Sequence, residues 1–146
     1  MPRLPKGEMA GDFTPVPDGS YLCEVAEVRD RNEDGGSLET QHGDDMFRIR
    51  FEIVRGPYAG RNIWDNMVFS EKAYPRVRLM CKRMGIDISE DVDVTPQLLM
   101  GRQVIVTTII EERPNEEGEM RKYNVVPFAG YEPAEEGRAG KSDLPF

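Results

Sequence analysis

The sequence predicts an all-β domain with one helix, on three observations. The stretch "MFRIRFEIV" alternates with a period of two, setting Phe47, Ile49, Phe51 and Ile53 on one face and Met46, Arg48, Arg50 and Glu52 on the other. A clear helical stripe falls at Val77, Met80, Cys81 and Met84, spaced i, i+3, i+4, i+7. Strand-like runs lie on both sides of it, three before and two after. Five strands with a helix between the third and fourth is the layout of a Greek-key OB-fold barrel, which closes its own sheet edges. The alternative is an open α+β sheet with the helix on one face.

Taken in order, residues 1–18 carry Pro2, Pro5, Pro15 and Pro17 and read as an extended N-terminal arm. The alternating run "SYLCEVAEVR" is the first strand, about 20–29. The polar, Gly-rich "DRNEDGGSLETQHGD" has no period and forms a long hairpin loop. The second strand is "MFRIRFEIV". "RGPYAG" turns the chain into the third, "RNIWDNMVF", where an inward set of Ile63, Met67 and Phe69 turns Asn62, Trp64, Asn66 and Val68 outward beside the arginines. Either Ser70 caps the helix or Pro75 opens it after a turn, and Gly85 stops it. Arg76, Arg78, Lys82 and Arg83 fall off the stripe and read as a solvated face. "TPQLLMG" is a second short turn, capped by Thr95, opened by Pro96 and stopped by Gly101. The fourth strand, "RQVIVTTIIEE", is apolar on both faces, which predicts good cover. "RPNEEGEM" is a hairpin loop, and "RKYNVVPF" is the fifth strand, with Pro127 near its end. The domain is expected to span 19–131, and the Glu-, Gly- and Ala-rich 132–146 to form a disordered tail.

At 146 residues, with 38% apolar and 32% charged content, the chain suits one domain with a real core and solvated loops. No run approaches a membrane span and the N-terminus has no apolar signal segment, so a cytoplasmic setting is expected. Cys23 and Cys81 sit in apolar patterns and read as buried free thiols. No catalytic or metal constellation emerges. The single histidine, His42, lies in the long loop, and "NEDGG" and "NEEGE" lack the ligand spacing of a calcium loop. The expectation is a non-enzyme without cofactor or metal.

Net charge is −8, yet residues 45–85 hold nine Lys or Arg against four Asp or Glu. A basic middle between acidic loops directs a local field at a ligand. Single strands bind where a basic groove tracks phosphates and aromatic rings stack on bases. The candidates are Arg48 and Arg50 from the second strand, Asn62 and Trp64 from the third, Tyr58 and Arg61 at the hairpin between them, and Lys122 and Tyr123 from the fifth strand. The facing of the third and fifth strands decides which of these converge. The sequence ends in "KSDLPF": Phe146 offers a ring for an apolar pocket, Pro145 stiffens the approach, and Asp143 adds charge beside Leu144. A partner-binding tip is expected there.

"SDLPF" resembles the C-terminal tip of bacterial single-stranded DNA-binding proteins, in which several acidic residues precede Ile-Pro-Phe. Here Leu144 replaces Ile, only Asp143 is immediately acidic, and Lys141 intrudes. The body, through "PDGSYLCEV", "FEIVRGPYAGRNIWD" and "LLMGRQVIV", resembles a family of small phage-encoded single-stranded DNA-binding proteins. That resemblance implies an OB-fold, coating of exposed strands during phage replication or recombination, and recruitment of replication and recombination proteins through the tip. The runner-up is an OB-like protein-interaction adaptor without nucleic acid; a third class, a small nuclease or nuclease accessory, is disfavoured because no clustered metal carboxylates emerge. The proline-rich arm is compatible with a homodimer.

Overall fold

The structure is a computed structural model and describes residues 15–134. The expected tip at 143–146 and the first part of the arm lie outside the described residues. Three antiparallel strands come first: β1 (Gly19–Arg29), β2 (Met46–Ile53) and β3 (Asn62–Val68). Helices α1 (Tyr74–Arg83) and α2 (Pro96–Leu99) follow, then β4 (Gln103–Pro114), β5 (Met120–Val125) and a short β6 (Tyr131–Pro133). The sheet order is β3-β2-β1-β4-β5, with β6 paired to β4. The two ends of that order, β3 and β5, also touch. The molecule is thus mostly β, an open antiparallel sheet curled in a barrel-like way, with few helices. No described helix is long and apolar enough to cross a membrane.

The alternation that identifies β2 also builds the core. Ile49, Phe51 and Ile53 are fully buried, together with Ile63 and Met67 of β3 and Val104 and Val106 of β4. Each side chain of this size contributes about 1.5–3 kcal/mol by leaving water. The α1 stripe, Val77, Met80, Cys81 and Met84, packs onto the same cluster. Ser70 caps only the preceding turn, its Oγ accepting from the Ala73 N–H at 3.2 Å. The helix proper starts with Pro75 in its first turn, where the missing donor costs nothing. It ends at Arg83 with Met84 as its C-cap, after which Gly85 takes φ +88°, a left-handed conformation that a side chain would strain. Thr95 caps α2, its Oγ1 accepting from the Leu98 N–H at 3.2 Å.

Both cysteines are free and buried, and burial pushes the Cys23 thiol up to about 12.

Five expectations need correction. The chain does not leave the domain at Tyr131. Residues 131–133 pair with β4, Tyr131 is fully buried, and Ala134 is buried too. Gly130 makes this return possible, because a Cβ there would stand 2.8 Å from the Thr107 carbonyl oxygen. At the other end Val16 is not a free arm residue: it is buried and exchanges two 2.9 Å hydrogen bonds with the Asn124 side chain. β4 is not covered on both faces. Ile109, on the phase opposite the buried Val104, Val106 and Thr108, is 36% exposed. The loop at 30–44 is less irregular than its sequence, since bridges Arg31↔Ser37 and Glu39↔Asp45 divide it into small paired turns.

Among the helix cations, finally, Arg76 is not solvated. Its Nη2 donates to Asp65 Oδ2 at 2.8 Å and to the Val126 and Pro127 carbonyls at 3.2 and 3.4 Å. Its Nη1 reaches the Asn66 carbonyl at 3.3 Å. The Tyr131 hydroxyl donates to the same Asp65 oxygen. One guanidinium therefore ties β3, α1 and the segment from β5 to β6 together. Burial, and then the negative charge of Asp65, raise the Tyr131 phenol well above its ordinary 10.0. The folded state keeps this proton at a pH where the unfolded chain has released it. The contribution is therefore complete below pH 10 and is lost as pH rises beyond it. Thermal melts from pH 8 upward should show a steeper alkaline loss of Tm in the native protein than in Tyr131→Phe. Parallel curves would show that this phenol is not held neutral.

Candidate nucleic-acid interface

Period two fixes the outward face of β2 and β3. Across their ladder Arg48 stands opposite Asn66, Arg50 opposite Trp64, and Glu52 opposite Asn62. Trp64 is half-buried and stays out of the core because Ile63 and Met67 take the inward positions. β1 completes the face by an irregularity. Its register shifts between Val25 and Glu27, so Val25 and Val28 both turn inward while Glu27 and Arg29 face out, opposite Arg50 and Arg48.

The result is a continuous cluster. The Arg48 and Arg29 guanidinium carbons lie over the Trp64 ring, 4.8 and 5.1 Å from its centroid. Such cation–π contacts hold an exposed arginine with about 0.5–1 kcal/mol. Arg48 Nη1 also donates to Asn66 Oδ1 at 3.4 Å, and Arg50 Nη1 to Asn62 Oδ1 at 3.1 Å. Glu27 binds two arginines at once, with Arg29 Nε at 2.6 Å on one oxygen and Arg50 Nε at 3.1 Å on the other. Hydrogen bonds from Arg29 and then Arg50 hold the Glu27 carboxyl below its ordinary range. Three guanidiniums and an indole thus share one exposed sheet surface. Chemically this surface can take phosphate oxygens on the arginines and the flat face of a base on the ring or on a guanidinium plane.

Of the sequence candidates, Arg48, Arg50, Asn62 and Trp64 meet here. Tyr58 does not join them. It lies in the β2–β3 turn, packs edge-on against Tyr21 at 6.0 Å, and leans on the core. Along β2 the acidic Glu52, directly opposite Glu24 of β1, separates that turn from Arg50. Arg61 follows the same turn and is half-buried. Lys122 and Tyr123 are exposed on β5, opposite Glu112 and Glu111 of β4, in a different charge setting. Arg29 and Glu27 were not among the candidates. The sequence does carry a signal for them: two inward valines three residues apart, Val25 and Val28, cannot share a face of a regular strand, so one residue must bulge. Among the described residues no group of His, Cys, Asp or Glu is arranged to hold a metal ion. Comparison of the chain with models of known protein families and with curated proteins finds no match.

Proposed function

We propose that this chain is a non-catalytic single-stranded DNA-binding protein whose β barrel is of the OB type. It would coat exposed strands without sequence preference during phage replication or recombination, in the cytoplasm of a bacterial host. The observation that carries this reading is Trp64 lying under Arg29 and Arg48, with Arg50 beside them, on an exposed sheet face. A neutral stacking platform framed by cations suits an unstacked base and its flanking phosphates, whatever the base. The face spans β1, β2 and β3 side by side, and the Glu24/Glu52 pair bounds it below. A strand therefore crosses the β-strands instead of running down the hairpin to Tyr58. Residues Asp143, Leu144, Pro145 and Phe146 would recruit replication and recombination proteins, on the strength of their resemblance to the single-stranded DNA-binding protein tip.

Titration with dT oligomers should quench the fluorescence of Trp64, the only tryptophan, and added salt should restore it. An unresponsive indole at low salt would sink this reading. It would favour the protein-interaction adaptor, for which the exposed Met120, Tyr123 and Phe128 are the supporting feature.

A further inference from the structure

We infer that Glu27 fills, with its own carboxylate, the anion position that a phosphate of the bound strand takes, so that binding proceeds by exchange of one anion for another. This inference rests on the single-strand reading above. Two arginines from neighbouring strands, Arg29 on β1 and Arg50 on β2, aim their Nε–H groups at one carboxylate. Convergence of two guanidiniums on a single anion is the arrangement a phosphate oxygen pair requires.

Stability does not account for the contact. The side chains are open to solvent, with relative exposures of 54% for Arg29, 28% for Arg50 and 34% for Glu27. Ion pairs this exposed add little to folding. The contact does alter the unliganded surface. Without an anion between them, Arg29 and Arg50 would stand as unneutralised like charges across the β1–β2 ladder, with Arg29 still held over the indole. Glu27 lowers the standing positive potential of the unliganded surface, and a strand has to displace only a side chain that is itself at the surface. Glu24, the next outward acid on β1, differs in its partner: it accepts from Gln103 Nε2 at 3.4 Å.

The test is Glu27→Gln, which keeps shape and removes charge, compared with Glu24→Gln as a control for general charge removal. Anisotropy of a labelled dT oligomer is measured across a salt series. Glu27→Gln should bind about three- to tenfold tighter at low salt, since two weak surface ion pairs no longer compete. Its plot of log K against log salt should keep the native slope, because the same phosphate sits between Arg29 and Arg50 in both complexes. Glu24→Gln should show a smaller gain and an unchanged slope, and both variants should melt like the native protein. Weaker binding by Glu27→Gln, a steeper slope showing a phosphate engaged only once Glu27 is gone, or an equal gain from Glu24→Gln, would overturn the inference while the native protein's binding leaves the single-strand reading standing. No binding by the native protein at any salt would overturn both.

Discussion

Arg76→Ala should destabilise the fold by about 3 kcal/mol, the scale of removing one partner from a largely buried ion pair. The guanidinium satisfies one carboxylate and three backbone carbonyls, and the pair is only 20% and 15% exposed. Its removal leaves Asp65 beneath the α1–β3 junction with no cation, held only by neutral donors, the Tyr131 hydroxyl and the Asn66 N–H. The loss therefore comes from an uncompensated buried charge more than from a missing attraction. This cause can be separated from simple loss of packing. The double variant Asp65→Leu/Arg76→Met should recover much of the loss, because it removes the charge together with its partner. Urea unfolding with a constant m-value provides the measurement. A single Arg76→Ala variant within about 0.5 kcal/mol of the native protein would mean that this cluster is no more than a surface ion pair.

This cluster also marks a limit of what periodicity can reveal. Arg76 stands next to Val77 and four residues before Met80, at the edge of the apolar stripe, where an exposed and a bridging arginine give the same pattern. The clue lies instead on β3. Asp65 falls between Ile63 and Met67 in the inward phase, and an inward acid requires a cation or a donor. The partner is tertiary, so no spacing rule names it. β6 escaped for a different reason: three residues that follow Gly130 and end in Pro133 are too short for alternation to register, and the ladder with β4 defines them. By contrast, the sequence offers Trp64 an outward phase but leaves the facing of β3 open, and the ladder with β2 fixes it. The pairing of Phe51 with Ile63 and of Phe47 with Met67 puts the apolar phases of β2 and β3 on one side, which leaves Trp64 outward opposite Arg50. Where a bulge resets the phase, as in β1, the same logic places Arg29 on the wrong side, and half of the indole's cationic frame goes unseen.

Loss of Trp64 and loss of the arginines should weaken single-strand binding through different physics, and salt separates them. Trp64→Ala removes a stacking surface worth about 1–3 kcal/mol per base, or roughly five- to 150-fold in affinity. Stacking releases no counterions, so the dependence on salt should keep its slope while the whole line drops. Arg48→Ala/Arg50→Ala should instead flatten that slope by about 0.7 for each phosphate the variant leaves unneutralised, and the deficit should shrink as salt rises. Neither change enters the core. Trp64 is only half-buried, and Arg48 and Arg50 lie on the solvent side of β2, so circular dichroism and melting should stay native. The indole also anchors Arg29 and Arg48 at 5.1 and 4.8 Å. Trp64→Phe should therefore keep part of the affinity by preserving a ring, and Trp64→Leu should not, although leucine restores apolar area. If leucine served as well as phenylalanine, the ring would be acting as a greasy patch instead of a π surface, and base stacking at this face would be ruled out.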